Sequence, residues 1–99
     1  MNKPVFYIKE NSLLAKLAAK KLQAKSVAMV LGKTIYLHGS SKENFLADER
    51  WVKHELCHVK QFDTHGYLTF VIKYLWESLR VGYYNNKYEL EARDAENQY

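Results

Sequence analysis

A chain of 99 residues, 47% hydrophobic and 14% aromatic, is one folded domain and excludes a disordered tail. The single cysteine, Cys57, excludes an internal disulfide framework and fits a reducing, cytoplasmic compartment, and Met1 to Lys9 lacks the apolar run of a secretory signal. The net charge of +4 is uneven: residues 1–40 carry seven lysines against Glu10 alone, whereas the remainder has eight basic and ten acidic residues. Lys16, Lys20, Lys21 and Lys25 recur at near-helical spacing and read first as a solvated helix face, with contact to nucleic acid or an anionic membrane as the rarer reading. No nucleic-acid-binding signature accompanies them, so no nucleic-acid partner is expected.

Pro4 predicts an extended start, with Val5 to Ile8 as a short strand or anchoring segment. Asn11 or Ser12 then caps a helix whose stripe Leu14, Leu17, Ala18 and Leu22 is the expected core face. Ser26 to Leu31 and Thr34 to His38 are β-branched and apolar, and the Gly32-Lys33 pair between them predicts a type II′ hairpin. Ser40 or Ser41 caps the next helical region, with Glu43 placed for a capping box on Ser40. No proline or glycine interrupts this region before His65, and Val52, Leu56 and Val59 form its apolar side. Gly66 ends it, and a further helix over Tyr67 to Arg80 is apolar on most faces. That run is broken by Lys73 and Glu77 and is too short to span a bilayer, so no transmembrane segment is expected. Gly82 to Asn86 reads as a turn before a last, acidic helix from about Lys87. The expectation is an α+β domain over residues 1–99: an N-terminal helix, a small antiparallel hairpin sheet, and a central helix packed with two more.

Chemistry concentrates in His54-Glu55-Leu56-Cys57-His58. Histidines four apart lie on one helix face and can grip a single tetrahedral Zn²⁺ at roughly 2.0–2.1 Å. Glu55 flanks that metal and is placed to act as general base on a water beside it. A zinc enzyme also needs a third protein ligand, and the acidic last helix offers candidates. Gln61, one turn past His58, either hydrogen-bonds behind the ligands or lies on the helix surface, which is its commoner role. Cys57 points away from His58 and reads as a small buried hydrophobe, and His38 and His65 as ordinary surface or turn residues.

His54-Glu55-x-x-His58-Val59-x-Gln61, with Gly82-Tyr83-x-x-Asn86-x-Tyr88-Glu89-x-Glu91-Ala92-Arg93 downstream, resembles the small bacterial gluzincin-type zinc metallopeptidase domains, the minigluzincins. The resemblance covers the chain in length and element order. It implies a glutamate ligand on a helix after the active-site helix. The segment Glu89 to Ala92 also looks like the third-ligand segment of membrane-embedded prenyl-protein peptidases, which makes Glu89 the ligand and Glu91 its rival. Such relatives often carry aspartate where Arg93 stands; here Asp94 comes one residue later. Tyr83 matches the family tyrosine and is the expected oxyanion donor, with Tyr84, Tyr88 and His65 as alternatives. A peptide or protein substrate would lie extended along Thr34–His38 or its hairpin partner. The resemblance therefore implies a zinc-dependent endopeptidase with Glu55 as base. The alternatives are a zinc-stabilised, weakly active or latent peptide-binding module, for which a partner chain completes the cleft, and, more weakly, a basic nucleic-acid-binding domain.

Overall fold

Strand pairing follows from the alternation in the two apolar runs, and a third strand joins them. The computed structural model describes residues 5–98. Its elements are β1 (Tyr7–Lys9), α1 (Leu13–Leu22), β2 (Val27–Leu31), β3 (Thr34–His38), α2 (Lys42–Ala47), α3 (Glu49–His65), α4 (Tyr67–Val81) and α5 (Lys87–Ala95). This is an α+β architecture. The sheet order is β1-β3-β2, with β2 antiparallel to β3 and β1 parallel to it, so the sheet is mixed where a purely antiparallel one was expected. The chain returns through α1 before the hairpin, which lets β1 enter on the far side of β3 in the same direction as β3. Pro4, expected to open the extended start, lies outside the described residues.

The hairpin turn is as its sequence predicts: Gly32 takes φ +65° and Lys33 does not share the positive sign, the type II′ pattern. Gly39 closes β3 at φ +78°, where a Cβ would lie 2.1 Å from the Lys25 carbonyl oxygen. Ile35, Leu37, Phe45 and Val59 are fully buried between the sheet and α3, with Val52 and Leu56 packed around them. A second cluster, Phe62, Phe70 and Tyr88, joins α3, α4 and α5 through edge-to-face rings 4.7–5.0 Å apart.

Three local expectations are corrected. Ser12 caps α1, but the helix buries Ala15 and Ala19 against Val27, Met29 and Tyr36, while Leu14, Leu17 and Leu22 of the expected core stripe stand about half exposed. Small side chains let the helix lie close on the sheet, and that contact outweighs the larger apolar stripe. The region from Ser40 to His65 is two helices, because Asp48 leaves helical geometry (φ −98°, ψ 93°) and its carboxylate accepts from Trp51 N at 3.1 Å, capping α3. The capping box on Ser40 is absent: Ser41 is the cap, accepting from Asn44 N at 3.1 Å, and Ser40 donates to the Ser41 carbonyl. Gly66 ends α3 and starts α4 at φ +84°, which turns α4 back along α3.

Candidate metal centre

His54 and His58 stand one turn apart on α3, their ring centroids 5.2 Å apart and nearly perpendicular. The partner helix is brought up by the turn that precedes it. Asn86 is completely buried: its Oδ1 accepts from Tyr88 N at 2.8 Å, capping α5, and its Nδ2 donates to the Tyr74 carbonyl and to Ser78 Oγ on α4. Ala92, also fully buried, offers no bulk to hold α5 away from α3. Glu89 in the first turn of α5 therefore points at the histidines, with its Oε1 3.1 Å from His54 Nε2 and 3.2 Å from His58 Nε2. One ligand atom from each of the three residues lies within 4.8 Å of the others, close enough together to bind a single metal ion.

The contacts behind the rings decide what the front of the site needs. His54 Nδ1 lies 2.7 Å from Glu96 Oε2, a carboxylate that only accepts. His58 Nδ1 lies 2.8 Å from Gln61 Oε1, and the amide orientation is fixed because Gln61 Nε2 donates to Glu91 Oε1 at 2.6 Å and to the Tyr88 carbonyl at 3.1 Å. Both Nδ1 atoms are therefore proton donors, and each neutral ring turns its Nε2 lone pair toward the same Glu89 oxygen. Two lone pairs converging on a carboxylate require a cation between them, either protons on the rings or a metal ion.

No family model, curated protein or solved structure matches the chain.

Electrostatics follow the same geometry. Burial lowers the pKa of both histidines, but hydrogen bonds and charge attraction from Glu89, with Glu96 on His54 and Glu55 on His58, outweigh it and hold both above the ordinary value. Burial raises Glu89, yet the two histidines and the Tyr74 hydroxyl, which donates to its Oε2, bring it well below the carboxylate range. Glu55 is buried beside this cluster, outside the ligand set, and desolvation pushes its pKa up to about 8 despite the nearby His58. Tyr83 shares a cavity of about 330 Å³ with His54, Glu55, His58 and Glu89, and burial together with the Glu89 and Glu55 carboxylates pushes its hydroxyl up to about 12. All five residues of β2 line that cavity, so the strand presents its edge and not one face. β3 is paired on both sides, which leaves β2 as the hairpin strand whose outer edge, among the described residues, is free beside the cluster.

Other candidates are occupied elsewhere. Glu91 grips Gln61 and stands behind the site, and Gln61 is buried rather than on the helix surface. Cys57 lies near Glu91, with burial and that carboxylate pushing its thiol up to about 11. His65 stacks on Phe70 at 5.7 Å, His38 lies in β3, Tyr88 belongs to the aromatic core, and Tyr84 lies under the Arg93 guanidinium at 4.3 Å. Neither Arg93 nor Asp94 faces a histidine; Glu96 does, and sequence reasoning missed it. Its signal was the spacing, seven residues or two turns beyond Glu89 on the same side of α5. Tyr74 was missed too, although it lies four residues after the buried Phe70 and four before Ser78, on the line that faces α3 and α5. Glu96→Gln should retain the fold and weaken metal binding by roughly 10- to 100-fold, as read by competition with a chelator; unchanged affinity would remove Glu96 from the site.

Proposed function

We propose that the chain is a zinc-dependent endopeptidase in which His54, His58 and Glu89 hold the metal and Glu55 is the general base. The observation that carries this reading is the convergence of two histidine lone pairs and one carboxylate oxygen beside a buried glutamate, on a cavity bordered by β2, the edge strand of the sheet. Two imidazoles and one carboxylate with room for a further ligand suit catalytic zinc, and the resemblance of the paired motifs to gluzincins supports the same choice. When bound, zinc supplies a Lewis acid that polarises a peptide carbonyl and acidifies water.

The chain's own residues do the rest. Glu55 receives the proton from the attacking water and returns it to the leaving amine. Its high pKa in the metal-free chain falls when a cation occupies the ligands, because the nearby positive charge favours the ionised form. The Tyr83 hydroxyl stays protonated through neutral pH and is the donor for the developing oxyanion. Glu96 and Gln61 fix the histidine tautomers, and Tyr74 holds the outer oxygen of Glu89. The free edge of β2 pairs with an extended substrate, so that backbone hydrogen bonds place the scissile bond.

Metal content and cleavage of an unstructured protein, measured on wild type and Glu55→Gln prepared without chelator, test the reading. One zinc per chain in both, with cleavage by the wild type alone, is expected. Absence of zinc from both refutes it, and zinc without cleavage transfers the site to a latent or peptide-binding module.

A further inference from the structure

α4 buries a narrow line of side chains and leaves the rest of an apolar helix in water. Phe70 and Glu77 face inward, whereas Leu68, Ile72, Leu75, Trp76 and Leu79 are between 56% and 83% exposed. The leucines and isoleucine follow a 4-3-4 spacing, so they make one continuous seam along the helix. Together with Trp76 they make a contiguous exposed apolar patch of roughly several hundred Å², the size that marks an interaction surface. α1 adds a second ridge, since its alanines lie on the sheet and Leu14, Leu17 and Leu22 do not. The two ridges meet at one place: Lys21 and Leu22 of α1 and Val71 and Leu75 of α4 line the same cavity, and Leu22 and Leu75 are both about half exposed.

The exposed charge carried by α1, the hairpin and α4 has one sign. No acidic residue occurs between Asn11 and Lys42, a stretch that carries Lys16, Lys20, Lys21, Lys25 and Lys33. The hairpin tip that bears Lys33 reaches the start of α4, where a Cβ at Gly32 would lie 3.1 Å from the Tyr67 ring. α4 adds Lys73 and Arg80, while its one acid, Glu77, is buried and bonded to Arg80 and to Lys87 N. A second copy of this face would set lysines against lysines with no carboxylate to meet them. Nucleic acid would meet the lysines and leave the leucines and Trp76 in water. A bilayer with anionic headgroups satisfies both: apolar side chains enter the interface, tryptophan sits at headgroup depth, and lysines snorkel to the phosphates. Among the described residues no helix is long and apolar enough to cross a membrane, so the contact is peripheral.

We propose that the α1–α4 face docks on the surface of an anionic lipid bilayer, with Leu68, Ile72, Leu75, Trp76 and Leu79 in the interface and the α1 lysines on the headgroups. The cavity beside His54, His58 and Glu89 then opens toward the membrane surface. The docking itself requires neither metal nor catalysis.

Co-sedimentation of the full chain with phosphatidylserine-containing and pure phosphatidylcholine vesicles, at low and high salt, is the test. Binding to the anionic vesicles is expected, at least about 10-fold weaker to neutral ones and released by salt. Leu79→Glu should weaken it about 10-fold with an unchanged circular dichroism spectrum, because the side chain touches little of the fold; should that variant unfold, Trp76→Ser carries the same expectation. Lys21→Glu with Lys33→Glu, the lysines that the shared cavity and the hairpin tip bring to α4, should lower binding and flatten its salt dependence. Failure of the folded wild type to bind anionic vesicles overturns the proposal, as does equal binding by all variants. A dimer dissociated by Leu79→Glu without lipid binding assigns the face to a second copy, and salt-sensitive nucleic-acid binding without lipid binding assigns the lysines to that partner; either overturns it.

Discussion

Glu55→Gln should stabilise the metal-free chain at pH 8 while it lowers peptide hydrolysis by roughly 10²- to 10⁴-fold, the range for loss of a general base. The two effects have one origin. Glu55 is buried, and its folded pKa is about 8 against an ordinary value of 4.5. Between those values the folded chain keeps a proton that the unfolded chain has released, so stability falls with rising pH across that window and levels off above it. Glutamine has the shape of the protonated acid and does not titrate, so the variant escapes that loss, which is on the order of a few kcal/mol at the upper end.

The neighbouring groups set the rest of the profile. His54 and His58 have raised folded values, so their contribution is complete below the ordinary 6.5 and is lost as pH rises through the folded values. Glu89 is depressed, so its contribution is present above the ordinary 4.5 and is lost as pH falls through its folded value. The metal-free wild type should therefore be most stable near pH 4.5, where the gain from Glu89 gives way to the loss at Glu55. Metal displaces the histidine protons, and saturating zinc should restore stability at pH 8. Urea unfolding of chelator-stripped wild type and Glu55→Gln across this range is the measurement. Parallel pH curves for the two proteins would show that Glu55 does not carry the shift.

The convergence of His54, His58 and Glu89 was legible because both of its parts are short-range. Four-residue spacing on a helix places His54 and His58 together whatever the tertiary structure, and Asn86 three residues before Glu89 marks the helix start that aims it. What surrounds the ligands depends on how helices pack, and that is not written locally. Glu96 lies just beyond α5, where its two-turn spacing from Glu89 tells only once the helix is known to continue that far, and the resemblance directed attention to Arg93 and Asp94 instead. Tyr74 sits in a run so apolar that its hydroxyl looked incidental, yet it is the group that fixes one oxygen of Glu89. The direction of α1 failed for a related reason. Leucines usually mark the core face, but Ala15 and Ala19 allow a closer approach to the sheet than Leu14 and Leu17 do. The misread ridge is part of the apolar face left to solvent.

Glu89→Ala separates the ligand from its rival and has the widest consequences of any single substitution at the centre. It removes one of the three residues proposed to hold the metal, so metal affinity should fall by well over a hundredfold, beyond the loss from disturbing an outer hydrogen bond. It also strips His58 of its paired carboxylate, leaves His54 with Glu96 alone, and leaves the Tyr74 hydroxyl, a part-buried donor, without its acceptor. In the metal-free chain at pH 6 that should cost roughly 3 kcal/mol, toward the low end for a broken buried pair because His54 is partly solvated. The cost should shrink as pH rises and the histidines become neutral. Glu89→Gln keeps an acceptor for Tyr74 but no charge, so it should recover part of the stability and little of the metal affinity. Glu91→Ala only frees Gln61 behind His58, and metal affinity should fall by no more than roughly 10- to 100-fold. Zinc titrations and thermal melts on the three variants distinguish these outcomes. If Glu91→Ala abolished binding and Glu89→Ala did not, the ligand set would be His54, His58 and Glu91, and α5 would have to rotate about half a turn about its axis to deliver it.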